Sequence, residues 1–214
     1  MKEDNPRVIT ISRQMGSGGS YVGYSVAKEL GFQYVDREIL RQAADRLHTD
    51  PEALEHLEER SPGLLEKITQ GFSYGMPEIA VSPLRKQPVD YKELFALEGK
   101  IMNEIADRYQ AVIVGRGGFY VLRNRPEVFK IFIHAPLDFR LNRYLSLQKS
   151  HDSKEVRARL KESDQVRARF IKEMAGLDWM DSRNYHLCFD SSVIDFSTIT
   201  AVIVDWVKKK GAEV

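Results

Sequence analysis

A glycine-rich segment directly follows a short β-branched run near the start of the 214-residue chain. Residues 7–12 (RVITIS) are typical of a buried strand, and apolar side chains recur at helical spacing over residues 20–30. Gly31 then suits a helix C-cap. The pattern predicts a strand, a tight loop over residues 13–20 and a helix, which is the opening of an α/β fold.

Further apolar runs continue this alternation along the chain. The other predicted strands are residues 32–35, 111–115, 128–134 and 186–190, and the other predicted helices are 37–47, 94–105, 137–147, 153–174 and 197–210. Alternating strands and helices predict a parallel sheet of about five strands with helices on both faces. Residues 49–88, which hold five of the eight prolines, are expected to form a lid-like insertion.

The composition narrows the class of partner. Lys and Arg number 32 against 31 Asp and Glu, a net charge of +1 that provides no global basic field for nucleic acid. No apolar run approaches the roughly 18 residues of a membrane span, and the charged N-terminus lacks a signal peptide's apolar stretch. We therefore expect a cytoplasmic protein with neither nucleic-acid nor membrane partners. Oligomeric state is not predicted.

Cysteine and histidine usage argues against several other site types. The single cysteine, Cys188, excludes an intrachain disulfide, and its apolar strand predicts a buried small hydrophobe. The five histidines have neither the spacing of metal ligands nor a serine or cysteine partner for a hydrolase triad. Trp179 and Tyr185 are expected to be packing residues more than base-stacking residues.

The glycine loop has the chemistry of a phosphate site. A loop between a buried strand and a helix presents backbone N–H groups and the positive end of the helix dipole. Against the motif G-x-x-x-x-G-K-[ST], Gly18 and Ser20 match, but Arg13 stands at the first glycine and Gly19 at the lysine. Arg13 is a candidate to bring a guanidinium in place of that lysine; the alternative is a solvated surface arginine.

Two other interpretations of the loop compete with a mononucleotide site. Gly16, Ser17 and Gly18 begin a dinucleotide-binding fingerprint, and Asp36 ends the second strand at a plausible distance for a ribose contact. Tyr21, however, occupies the place of the third glycine, where close packing of helix and strand is needed. The remaining alternative is a tight turn that binds nothing. The strand-loop-helix context favours the mononucleotide loop.

Residues 8–20 (VITISRQMGSGGS), followed by residues 31–36 (GFQYVD), resemble the opening of cytidylate kinases, and most closely the cytidylate kinase-like family. Residues 112–118 (VIVGRGG) stand where cytidylate kinases carry an Asp-Gly-Arg-Asp segment, and the resemblance continues to Cys188. It implies a single P-loop NTPase-type domain over residues 1–214 that binds ATP and Mg²⁺. The implied reaction is phosphoryl transfer to a nucleoside monophosphate, with CMP or dCMP favoured.

The resemblance also implies roles for individual residues. The nucleotide-binding segment would be Gly16, Ser17, Gly18, Gly19, Ser20 and Tyr21, with Ser20 next to magnesium. Arg41, in an inserted helical acceptor-binding region over about 37–95, and Arg116, after the central strand, would hold the acceptor phosphate. Asp36 would either orient magnesium-bound water or the acceptor, or only cap a helix. Catalytic roles would fall to Arg140 and Arg143, and to Asp164 and Arg167, in a lid of about 140–170.

Two of these residue groups also have support from the chain itself. Arg116 follows an apolar strand, at the edge where open α/β sheets bind ligands. Asp164 and Arg167 interrupt the apolar stripe of the helix over 153–174, so they either form an ion pair or face the nucleotide cleft.

Two departures from the cytidylate kinase pattern, Gly19 and Gly117, keep the question of activity open. A P-loop lysine contacts the β- and γ-phosphates, so its loss without compensation would leave binding while removing most of the rate. A catalytically impaired nucleotide-binding module and a kinase for a non-nucleotide metabolite therefore stay as alternatives to a nucleotide kinase.

Overall fold

The computed structural model describes residues 8–36, 91–148 and 152–212. The strands are β1 (Val8–Arg13), β2 (Gln33–Val35), β3 (Ala111–Val114), β4 (Val128–His134) and β5 (Leu187–Asp190). The helices are α1 (Gly19–Leu30), α2 (Tyr91–Arg108), α3 (Gly118–Val121), α4 (Leu137–Gln148), α5 (Ser153–Ala175) and α6 (Phe196–Ala212). A 3-10 turn covers Ser182–Asn184.

The five strands form one parallel sheet in the order β2-β3-β1-β4-β5, which confirms the predicted fold class. The first strand runs one residue further than expected, because Arg13 still pairs with Ile133 of β4. Arg13 is therefore the last residue of β1. The predicted helix 37–47, the insertion 49–88 and Arg41 lie outside the described residues.

Helices cover both faces of the sheet, as the alternation predicts. Ile9 and Ile11 face α1 and α6, and Val8 on the opposite face packs with the apolar side of α2. This is the period of two expected of a strand buried on both sides. None of the helices in the described part of the chain is long and apolar enough to span a membrane.

The prediction that Cys188 is buried is wrong, because its side chain is exposed. β5 is an edge strand, and along it Phe189 faces the core with α6 while Cys188 lies on the other side of the pleat. Trp179 and Tyr185 are buried together, and the Tyr185 hydroxyl donates to the carbonyl oxygen of Trp179 at 2.7 Å. Their prediction as packing residues is confirmed.

Candidate nucleotide site

The connections of the sheet create a crevice at the carboxyl ends of β1 and β3. The chain leaves β1 toward β2 on one side, whereas it leaves β3 toward β4 on the other. Ligands of open α/β sheets bind at such a switch point. Ile11 and Val114 are paired in the sheet, so Arg13 and Arg116 each lie two residues beyond that pair, at the same edge.

The glycine loop occupies this edge and runs into α1. Gly16 and Gly18 adopt left-handed φ angles of 83° and 81°, which cost glycine little. Gly18 is the N-cap of α1, and no side chain caps that end. The first turn of the helix therefore presents its N–H groups and the positive end of its dipole at the crevice.

The side chain of Arg13 fills the space above Gly19. A side-chain carbon on residue 19 would lie 2.9 Å from Cγ of Arg13 and closer still to its Cβ. The guanidinium continues to Gly115 at the end of β3, where such a carbon would lie 3.0 Å from Cζ of Arg13. Two glycines thus make room for one arginine, which brings its charge into the crevice between β1 and β3.

The hydroxyl groups of the loop have different surroundings. Ser17 is fully buried, and its hydroxyl lies 2.9 Å from the carbonyl oxygen of Gln14 and 3.1 Å from that of Ile133. Ser191 donates its own hydroxyl to the carbonyl oxygen of Ser17 at 2.7 Å. Ser17 therefore holds the shape of the loop, whereas Ser20 carries its hydroxyl on the second residue of α1.

Ser20 is the residue expected to lie next to magnesium. Within residues 8–36, 91–148 and 152–212, no group of three or more His, Cys, Asp or Glu side chains is arranged to hold a metal ion. Magnesium bound with nucleotide needs only one or two protein ligands, because phosphates and water supply the rest. A single hydroxyl at Ser20 fits that requirement.

Arg116 is held in an unusual backbone segment. Gly115, Arg116 and Gly117 have consecutive φ angles of 87°, 51° and 70°, and a positive φ at arginine is a sparsely populated conformation. Glu98 on α2, only 1% exposed, accepts from Nε of Arg116 at 2.6 Å and also pairs with its Nη2. The ring of Phe170 lies 4.8 Å from the guanidinium carbon. Orientation of this arginine is therefore set by two helices.

The two lid arginines lie in different places. Arg140 is 4% exposed, and its guanidinium contacts Met15 of the loop and Asp164 of α5. The guanidinium carbon of Arg143 lies 4.8 Å from the ring centroid of Phe196. Phe196 packs against Gly18, and Tyr21, half-exposed, has its ring 5.7 Å away. Arg143, Phe196 and Tyr21 thus gather beside the loop.

Asp164 and Arg167 both lie on α5, three residues apart. Asp164 pairs with Nη2 of Arg140 at 2.9 Å, and Arg167 donates to the hydroxyl of Ser163. Burial raises the pKa of Asp164, and the nearby charges of Arg140 and Arg167 only partly offset that effect. Oδ1 of Asp164 is buried without a hydrogen-bond partner among the described residues.

The raised pKa of Asp164 predicts a pH-dependent loss of stability. Above the ordinary aspartate pKa of about 3.9, the folded protein keeps a proton that the unfolded chain has released. The contribution of this group is thus fully present below that pKa and is lost as pH rises through the folded pKa. In urea unfolding from about pH 4 to about pH 7, the free energy of unfolding should fall more steeply with pH in the parent than in Asp164→Asn.

Asp138→Asn provides the control for that measurement, because Asp138 is an exposed carboxylate on the neighbouring helix α4 and pairs with Arg157. Equal slopes in the parent and in Asp164→Asn would contradict the prediction.

Several site residues were not predicted from the sequence. Asp36 directly follows β2, as expected. By contrast, no local sequence pattern indicates the contacts made by Gln14, Glu98, Ser191 and Phe196. Their partners come from distant parts of the chain: the Gln14–Asp164 contact spans 150 residues.

Solved structures of other proteins share this fold. The chain is similar to an uncharacterized protein from Eubacterium ventriosum, with 19% identity, a TM-score of 0.69, and coverage of 94% of this chain and 98% of that one. It is also similar to a sugar kinase from a Janibacter species, with 17% identity, a TM-score of 0.51 and coverage of 97% of both chains. At these identities the likeness shows the fold alone. No curated protein matches the chain.

A family model gives the stronger result. The model described as the cytidylate kinase-like family matches residues 8–193, which include all five strands, the glycine loop and the Arg116 segment. The chain therefore belongs to the cytidylate kinase-like family.

Proposed function

We propose that this protein transfers the γ-phosphoryl group of ATP to a nucleoside monophosphate, with CMP or dCMP as the expected acceptor. The observation that carries the proposal is the guanidinium of Arg13, which lies in the crevice between β1 and β3 beside the phosphate loop. The family supports the reaction type, and the resemblance of the loop to cytidylate kinases supports the acceptor.

ATP would bind with its phosphates along the loop from Gly16 to Ser20. The left-handed glycines and the uncapped start of α1 direct backbone N–H groups to an anion, and the cradle has no room for side chains at Gly18 and Gly19. Phosphoryl transfer depends on positioned cations around a charge-rich transition state. Arg13 would provide the charge that a lysine at position 19 provides in the usual motif.

Ser20 is the residue that would hold Mg²⁺. The ion, when bound with nucleotide, neutralises charge on the terminal phosphates. Arg13 and Arg116 would add further positive charge to the site.

The acceptor phosphate would bind at Arg116. A guanidinium carries five N–H donors, and Glu98 accepts from Nε and Nη2, which leaves Nη1 for a phosphate as far as the described residues are concerned. An oxygen of the acceptor phosphate would attack the γ-phosphorus in line while the bond to the β–γ bridging oxygen breaks, and ADP leaves. We assign no general base. The expected partners are small-molecule nucleotides, with neither nucleic acid nor membrane.

One assay tests this function. The protein is incubated with ATP, Mg²⁺ and a panel of nucleoside monophosphates, and ADP is measured against a reaction without acceptor. We expect ADP formation that depends on the acceptor and is fastest with CMP or dCMP. Because the fold is also similar to that of a sugar kinase, sugars are tested as acceptors beside the nucleoside monophosphates.

Two other outcomes identify the competing functions. Tight ATP binding without turnover on any acceptor would contradict the proposal and indicate a nucleotide-binding module, which Gly19 and Gly117 favour. Turnover only outside the nucleotide panel would indicate a metabolite kinase.

A further inference from the structure

The guanidinium of Arg140 joins three parts of the fold at the base of the phosphate loop. Its Nε donates to the carbonyl oxygen of Ala135, just after β4, at 2.9 Å. Its Nη1 donates to the carbonyl oxygen of Met15 in the loop at 3.1 Å, and its Nη2 pairs with Oδ2 of Asp164 on α5 at 2.9 Å. The side chain is almost fully buried, so these contacts are made out of water.

Gln14 completes the same arrangement from the loop side. Its backbone N–H donates to the carbonyl oxygen of Ile133 at 3.1 Å, and its Oε1 accepts from the N–H of Ala135 at 3.1 Å. Its Nε2 donates to Oδ2 of Asp164 at 3.3 Å. One carboxylate oxygen of α5 therefore receives both Gln14 and Arg140.

The backbone of the loop is packed directly on Arg140. A side-chain carbon on Gly16 would lie 3.0 Å from Cβ of Arg140 and 3.0 Å from its carbonyl oxygen. Turning the guanidinium toward a phosphate would leave buried acceptors on the loop, on β4 and on α5 unsatisfied, at about 1–3 kcal/mol each. These contacts thus favour a conformation in which the guanidinium of Arg140 holds the loop and does not extend to the ligand.

We propose that Gln14, Arg140 and Asp164 form a positioning network that couples the placement of α5 to the conformation of the phosphate loop, and so sets the affinity for ATP without touching it. The inference rests on the proposed function for its ligand. It departs from the roles that the resemblance implies for Arg140 and Asp164, which would act directly on the transferring group. The distinction is measurable, because a positioning network acts on ATP binding more than on the chemical step.

The test exchanges the two partners across one contact. Asp164→Asn removes the charge beside Arg140, and Gln14→Glu keeps the acceptor for Ala135 but places two carboxylates together. We expect each single variant to raise the Kd for MgATP about tenfold, the equivalent of one lost charge-assisted hydrogen bond, with kcat within about threefold of the parent. The double variant Gln14→Glu/Asp164→Asn restores an amide opposite a carboxylate and should return Kd to within about threefold.

Asp138→Asn provides a matched control. Asp138 on α4 pairs with Arg157 on α5, so its substitution removes a contact between the same two helices at the exposed surface. Its Kd for MgATP should equal that of the parent. Amide hydrogen exchange of Ser17, whose N–H donates to the carbonyl oxygen of Gln14, should accelerate in both single variants even without nucleotide.

Several results would overturn the inference. Parent-like affinity and parent-like exchange in both single variants would show that the network does not shape the loop. A double variant whose loss equals the product of the single losses would show no coupling. A loss of kcat at unchanged Kd in Asp164→Asn would make Asp164 a catalytic residue. A parent that binds no ATP would instead overturn the proposed function, and the exchange measurement would then still judge the coupling to the loop.

Discussion

Replacing Gly19 with lysine, which restores the residue of the usual motif, is expected to weaken ATP binding and turnover. The first side-chain carbon would overlap Cβ of Arg13 and lie 2.9 Å from its Cγ. Cβ of Arg13 cannot swing away, because β1 is paired with β4 at this residue. Overpacking of a buried position costs about 1–3 kcal/mol, and here the strain falls on the loop that we propose binds the phosphates of ATP.

The measurements for Gly19→Lys are the free energy of unfolding in urea and the Kd for MgATP. We expect the Kd to rise at least about tenfold. Gly19→Ala introduces the same clash without the amine and should be impaired as well. Gly99→Ala is the matched control, since Gly99 is also helical and, among the described residues, a side-chain carbon there would meet its nearest neighbour, Val121, only at 3.8 Å. The variant should be neutral or stabilising by up to about 1 kcal/mol. Tighter ATP binding by Gly19→Lys would contradict the steric argument.

The double variant Arg13→Gly/Gly19→Lys separates sterics from chemistry. It removes the Cβ that blocks position 19, and its loop over residues 13–20 becomes GQMGSGKS, a full match to G-x-x-x-x-G-K-[ST]. We expect it to bind ATP better than Gly19→Lys alone, with a residual cost of about 0.5–1 kcal/mol for glycine at the end of β1. If the losses of ATP affinity in Arg13→Gly and in Gly19→Lys simply add in the double variant, an arginine at position 13 and a lysine at position 19 are not alternatives for one function.

Removal of the Arg13 guanidinium is expected to have the second large effect, a fall in kcat of about 10³-fold. Arginines that stabilise the migrating charge contribute on that scale, and Arg13 is proposed to replace the lysine of the loop. Arg13→Ala tests the role most simply. Arg13→Met is sharper, because it keeps an aliphatic stem against Gly19 while removing the charge.

Steady-state kinetics with the best acceptor of the panel measure this effect. Arg13→Lys should lie between the parent and Arg13→Met, because it keeps the charge but not the planar fork of donors. Arg123→Ala, which removes an exposed arginine that covers Tyr120, should leave turnover unchanged. Arg13→Met with the kinetics of the parent would show that Arg13 only packs between two glycines.

The sequence by itself determined the five strands, their parallel sheet, the long helices among the described residues and the place of the glycine loop. These follow from patterns of short range: β-branched runs, helical periodicity, and glycines where the chain turns from strand to helix. The same patterns placed Arg13 and Arg116 at the carboxyl edge of the sheet. The prediction that Cys188 is buried was wrong, because its apolar run does not reveal that β5 lies at the edge of the sheet.

Only the tertiary structure decided which side chains meet across that frame. Arg13 lies over Gly19 and reaches Gly115 because β3 is inserted next to β1, about a hundred residues later in the chain. Asp164 meets Gln14 and Arg140 for the same kind of reason, as does Glu98 when it orients Arg116. Periodicity reports the face on which a residue lies, whereas its partner depends on which elements pack together. The sequence therefore offered Arg13 as a candidate to replace the missing lysine, and only the fold shows its side chain lying over Gly19 and reaching Gly115.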